Sequence, residues 1–248
     1  MSQSAAITAL RGRIRLLERP VARLGGVVPF GVPALDLHLP EGGLALGALH
    51  EVAGGGVDEV AAASATLFAA GILARLERPV LWCSALGDLF PPGLACAGLG
   101  ADRVLHVAAG HERAVLPVME EALRHPGLSA VVGELARLPM VASRRLVLAA
   151  EKSGVMALAL RRRREGAAAE TGLSAAATRW RITPLPSAPL AAPGLGRARW
   201  QVSLLRCRGG EAGEWIMEAC DAQGYLATPA ELAGRKVAAG ADRWAASA

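Results

Sequence analysis

Lysine is almost missing from this chain: Lys152 and Lys236 are the only two, and neither stands near the glycine triplet Gly54, Gly55 and Gly56. Aromatic residues are scarce at 4%, so Ala, Leu and Val must do most of the packing. The four cysteines, Cys83, Cys96, Cys207 and Cys220, show no C-x-x-C spacing. That pattern argues against a zinc site or a disulfide framework and suits a reducing cytosol. No uninterrupted apolar run approaches the ~20 residues that a bilayer requires, and arginines interrupt the apolar positions where a signal peptide would need its hydrophobic stretch. A soluble, intracellular protein is expected. No Ser/His/Asp or Cys/His set with workable spacing is present either.

With 248 residues, 52% of them hydrophobic, the chain has ample material for one substantial core. Its basic character is carried by arginine and sums to a net charge of +5. Such a balance is compatible with DNA or an acidic partner, and no more.

Residues 1–24 carry Ile7, Leu10, Ile14 and Leu17 at helical spacing, with Arg11, Arg13, Arg15 and Arg19 around them. They read as a basic amphipathic helix that packs on the domain with its arginines solvated, or alternatively docks a neighbouring protein. Gly25 and Gly26 end it, and a Pro/Gly-rich stretch from Pro29 to Gly43 follows. From Gly47 the pattern alternates. Strand-like runs at Ala48–Ala53, Pro79–Cys83, Val104–Val107, Leu128–Val132 and Val155–Leu160 are separated by helical patterns at Asp58–Leu76, Glu112–Arg124 and Val141–Lys152. Strands interleaved with helices of that length imply right-handed crossovers and a mainly parallel sheet. Trp200, Val202 and Leu204, then Trp215, Met217 and Ala219, alternate on either side of Gly209-Gly210 and predict an antiparallel hairpin. Thr228, Pro229 and Glu231 supply the signals of a short helix start. The expected organisation is an arm over 1–24, a core over 25–233 and a loosely ordered tail over 234–248.

A strand, a glycine turn and a helix are the setting of a phosphate-binding loop. That chemistry needs G-x-x-x-x-G-K-[ST]: free backbone N–H groups, a lysine for the phosphates and a hydroxyl for magnesium. With Gly54 as the first glycine, Glu59, Val60 and Ala61 stand at the last three positions. Glu59 places negative charge where phosphate would lie, Val60 cannot pair with it, and Ala61 cannot ligate a metal. Asp58 and Glu59 also take the positive end of the helix dipole. On the metal side, Ala130, Val131 and Val132 lead to Gly133 where an acid would be wanted, and Glu134 comes one place late.

The entry segments resemble those of the RecA superfamily. Phe30-Gly31-Val32-Pro33-Ala34-Leu35-Asp36, then Gly42-Gly43-Leu44, then Gly47 to Gly54 are similar to the lead-in of its ATP-binding strand. Leu99-Gly100-Ala101-Asp102 resembles its L-G-x-D stretch, and Arg208-Gly209-Gly210 the turn of its terminal hairpin. Within that superfamily the Asp88-Leu89-Phe90-Pro91-Pro92-Gly93-Leu94 loop and the degenerate Gly54–Ala61 loop are most similar to the ImuA family. The resemblance covers roughly residues 25 to 230. It implies a RecA-like three-layer α/β fold, with a mostly parallel central sheet and a C-terminal antiparallel hairpin. It further implies a non-catalytic accessory role in SOS-induced, error-prone translesion synthesis and DNA repair, in the cytoplasm and associated with the nucleoid. The implied partners are an ImuB-type relative of Y-family polymerases and an error-prone C-family DNA polymerase, with RecA and DNA as further candidate contacts. No cofactor is implied, because the ATP-site positions carry the wrong chemistry.

Arg161, Arg162, Arg163 and Arg164 follow the Val155–Leu160 strand, where RecA-like folds carry a loop that faces DNA. They are candidate DNA or partner contacts together with Arg11 and Arg15, the plain alternative being a solvated charge run. Asp88-Leu89-Phe90 faintly resembles a sliding-clamp peptide with Leu86 in place of its glutamine, but is expected to be a loop that packs Phe90 on the core. His50, His106 and His111 are expected to be structural, and Trp244 to be tail filler rather than an anchor.

Overall fold

A computed structural model describes residues 26–56, 59–85, 87–162, 172–188 and 196–229. The arm over 1–24, the tail over 234–248 and Trp244 lie outside the described residues. A two-residue ribbon comes first: β1 (Val27–Val28) pairs with β2 (Leu44–Ala45), flanking the one-turn helix α1 (Pro33–Asp36). The F-G-V-P-A-L-D run earns its shape here. Asp36 accepts the N–H groups of Phe30 (2.7 Å) and Gly31 (3.0 Å), Gly31 takes φ = 76°, and Leu35 is driven into the core.

The main sheet has eight strands: β3 (Leu49–Gly54), β4 (Val80–Ser84), β5 (Val104–Ala108), β6 (Ala130–Leu135), β7 (Met156–Arg161), β8 (Thr178–Leu185), β9 (Arg199–Cys207) and β10 (Gly213–Glu218). Their spatial order is β10-β9-β8-β3-β7-β6-β4-β5, parallel from β8 to β5 and antiparallel for β9 and β10. The C-terminal hairpin keeps the expected register, with Trp215 opposite Val202 and Met217 opposite Trp200.

Helices cover both faces. On one lie α2 (Glu59–Ala74) and the short α3 (Pro91–Cys96), on the other α4 (Glu112–Ala122) and α5 (Met140–Ser153). Strand β7 shows how alternation divides the layers: Met156, Leu158 and Leu160 join the α2 core, whereas Ala157 and Ala159 join the α4/α5 core. Bulk therefore sits on the α2 side, where Phe30, Phe68, Trp180 and Trp200 cluster with ring centroids 5.2–6.4 Å apart. Ala-rich α2 contributes Phe68 to this cluster. Helix α5 stops at Gly154, whose left-handed φ of 77° forms the C-cap the sequence predicts.

Two elements depart from the sequence expectation. Strand β8 was not expected, and it separates β3 from the hairpin. The Pro91-Pro92-Gly93 stretch, expected as loop, opens α3 with prolines at its first positions, where a missing N–H costs nothing.

Candidate functional site at the strand-to-helix corner

Strand β3 ends at Gly54, and α2 begins at Glu59. Among the described residues of this corner, Gly54, Gly55 and Ala61 are closely packed. The N–H of Gly55 donates to the carbonyl of Ile182 on β8 (2.7 Å), so it is already satisfied. A Cβ on Gly54 would meet the Ala61 carbonyl oxygen at 2.6 Å, and one on Gly55 would strike the Thr183 hydroxyl. Ala61 is fully buried, while Glu59 and Val60 face solvent on the first turn, Val60 61% exposed. Asp58 lies outside the described residues. The RecA-type fold implies a nucleotide with its magnesium, and these residues do not fit one. Among the described residues the Gly55 N–H is already used, no lysine stands at the turn, and the exposed side chains are an acid and a hydrocarbon.

Beside the corner lies a cleft of about 540 Å³ bounded by α2, α3 and the C-terminal ends of β6 and β7. Glu134 enters it directly. Strand β6 runs on through Leu135, and alternation turns Glu134 to the α2 face with Ala130 and Val132, whereas Gly133 faces α4 against Met119. Glu134 is 6% exposed and fully engaged: it accepts the indole N–H of Trp82 (2.8 Å) and pairs with Arg162 (2.7 Å). Arg162 also spans to both carboxylate oxygens of Asp88 at 2.9 and 2.8 Å. Burial works against its charge, but Glu134 and then Asp88 outweigh that and hold the guanidinium pKa above its ordinary value. With Glu59 also lining the cleft, three carboxylates face one guanidinium.

A second ionic cluster lies on the opposite face of β3. Glu51, 2% exposed, receives Arg161 and Arg179, each at 3.3 Å, and the Ser174 hydroxyl. Arg161 additionally donates to the Ala136 carbonyl (2.8 Å). Charges buried this way persist because each is matched. Of the candidate contacts, Arg161 and Arg162 are thus committed to carboxylates on the two faces of the sheet. Arg163, Arg164, Arg11 and Arg15 lie outside the described residues.

The other singled-out residues are readily placed. His50 is buried, its Nε2 donating to the Ala45 carbonyl (2.9 Å) and its Nδ1 facing the Thr178 hydroxyl (2.8 Å), which also accepts the Trp180 indole N–H. A carbonyl only accepts, so the proton belongs on Nε2. His106 bonds Ser84, and His111 caps α4 by accepting from Ala114. Phe90 is a correction: it is 68% exposed on the cleft rim, and Leu89 packs against the core in its stead. The bridge Asp88–Arg162–Glu134 and the Glu51 cluster were not read from sequence. The available signal was a lone acid inside an apolar strand, at Glu51 and again at Glu134. Among the described residues no group of three or more His, Cys, Asp and Glu side chains is arranged for a metal ion, and no helix is long and apolar enough to cross a membrane.

Against known proteins, no family model matches the chain. Over 206 residues it is 42% identical to the protein named Protein ImuA in two strains of Caulobacter vibrioides, covering 79% of this chain and 84% of theirs. Among solved structures it resembles the RadB recombinase with a TM-score of 0.55 at 18% identity, over 80% of this chain and 98% of that one. At that identity the likeness speaks for the fold alone.

Proposed function

The chain belongs to the ImuA family, and from that premise we propose that it is a non-catalytic accessory and adaptor protein of SOS-induced, error-prone translesion synthesis and DNA repair. It acts through protein contacts, in the cytoplasm and at the nucleoid. The partners this reading assigns are an ImuB-type Y-family polymerase relative and an error-prone C-family DNA polymerase. Residues 1–24 serve as an arm, 25–233 as the core and 234–248 as a tail.

One observation carries the non-catalytic part. The corner that would hold triphosphate has its Gly55 N–H bonded to Ile182, an acid, Glu59, at the second glycine position, Val60 where the lysine would stand and buried Ala61 where the hydroxyl would stand. Phosphoryl transfer rests on positioned cations, and here a hydrocarbon beside an acid takes the lysine's place. Two measurements test the reading. Titration of the full chain with labelled ATP and magnesium is expected to show no saturable occupancy. Recovery of the chain from damage-treated cells is expected to bring a polymerase-like partner with it. Stoichiometric nucleotide binding refutes the first half, and repeated failure to recover such a partner refutes the second.

A second reading rests on the arginines placed at the arm and after β7. Contact with DNA or a RecA filament, through Arg163, Arg164, Arg11 and Arg15, would be salt-dependent. Arg161 and Arg162 contribute less to it, because Glu51, Glu134 and Asp88 already balance them.

A further inference from the structure

The cleft beside the corner has a composition that suits a particular visitor. Its walls are aliphatic, from Leu67 on α2, Leu89 on the loop and Leu94 on α3, with Phe90 exposed on the rim. Its polar edge is acidic, with Glu59 and Asp88 on the open side. Glu134 and Arg162 also line it, so the cleft sets three carboxylates against one guanidinium beside its aliphatic wall, and a groove that is partly apolar and acidic on balance is a surface into which a basic amphipathic helix lays its apolar stripe. Such a helix would carry arginines beside that stripe.

The sequence itself offers that pattern over residues 7–17. Ile7, Leu10, Ile14 and Leu17 fall on one stripe, and Arg11 and Arg13 fall about 80° to either side of it at ~100° per residue. Residues 1–25 hold five arginines against the single acid Glu18. The segment is too short to persist as a helix alone, and Gly12 weakens it by about 1 kcal/mol more, so it needs a surface. Reach is sufficient. The described chain begins at Gly26, and Pro29 is held by Arg75 at the C-terminal end of α2. The cleft lies along the N-terminal half of that helix, within about 24 Å, and residues 18–25 extend to about 26 Å.

We propose that residues 7–17 of this same chain occupy the cleft, with the four aliphatic side chains against Leu67, Leu89, Leu94 and Phe90 and with Arg11 and Arg13 facing Glu59 and Asp88. The occupant is a cis plug, and any partner that uses the cleft must displace it. This stands apart from the adaptor reading, since its readout needs no partner.

The test places a benzophenone amino acid at Phe90 of the full-length chain, a position exposed enough to accept it. Illumination of dilute protein, followed by digestion and mass spectrometry, is expected to join position 90 to residues 7–17 within one copy. The joint variant Arg11→Glu/Arg13→Glu lowers the yield roughly fivefold or more, and adding Glu59→Arg restores much of it. Hydrogen exchange on the unlabelled chain gives the same answer independently: amides of residues 7–17 are protected, and the double variant loses that protection. Adducts to residues 230–248, adducts between copies that grow with concentration, absence of adducts, or a yield indifferent to the charge reversals each overturn the proposal.

Discussion

Gly71 lies where α2 meets the returning C-terminal segment. A Cβ there would meet the Cys220 sulfur at 2.3 Å and its Cβ at 2.9 Å, and the Gly71 carbonyl oxygen already stands 2.5 Å from where a Cβ on Gly224 would be. Only backbone fits between α2 and that segment. Gly71→Ala is expected to destabilise the fold by about 1–3 kcal/mol, measured by urea denaturation, although alanine is the better helix former. Cys83 supports a second residue-scale expectation. Burial, and then the nearby Glu134 carboxylate, push its thiol from an ordinary value of 9.0 to about 11. In the pH window between those values the folded chain keeps a proton that the unfolded chain releases. Stability is therefore complete below pH 9 and falls as pH rises toward 11, by about 2–3 kcal/mol over the interval. Cys83→Ala is expected to flatten that decline in denaturation curves taken from pH 8 to 11, and an unchanged slope would assign the effect elsewhere.

At the scale of elements, β6 and β7 are bound together at their ends by more than the ladder. Arg162, the residue after β7, reaches Glu134 on β6 and Asp88 on the loop after β4, and Trp82 of β4 closes the set from below. Arg162→Ala leaves Glu134 buried with an indole as its remaining named partner. A cost of about 1–3 kcal/mol is expected, below the figure for a fully buried pair because Arg162 is partly exposed. Glu134→Gln in the same background is expected to recover most of it, since the amide oxygen still accepts the Trp82 N–H without an unmatched charge. Denaturation followed by tryptophan emission reads both. The same elements show what sequence could convey. Strands β3 to β7 were legible because each is a short apolar run between turn residues, and the hairpin because Trp200 and Trp215 fix its alternation. Strand β8 carries the same period-2 signal, Arg179 and Arg181 alternating with buried Trp180 and Ile182, and was overlooked behind an Ala/Gly-rich stretch. The chemistry at the phosphate-loop positions, Glu59, Val60 and Ala61, could be read from sequence alone. The cleft was not, because Asp88, Glu134 and Arg162 come together only through tertiary packing.

Across the whole molecule, the adaptor reading looks for function on the exterior of the RecA-like sheet. Charge then decides where DNA could be met. A cation already matched by a buried carboxylate releases few counterions when a phosphate approaches, whereas an unmatched one contributes about 0.9 to the slope of log affinity against log salt on duplex DNA. Arg161 is spent on Glu51, and Arg162 on Glu134 and Asp88. If DNA is contacted at the end of β7, replacing Arg163 and Arg164 together by alanine is expected to reduce that slope by about 2 between 50 and 200 mM salt. Replacing Arg161 alone is expected to lower stability and leave the slope nearly unchanged, because it removes one of the two cations on buried Glu51, leaving Arg179 and Ser174, rather than a free cation. The inverse pattern, a slope that follows Arg161 and ignores Arg163 and Arg164, would mean that DNA competes successfully for the Glu51 cluster and that this ion pair is a switch rather than a brace.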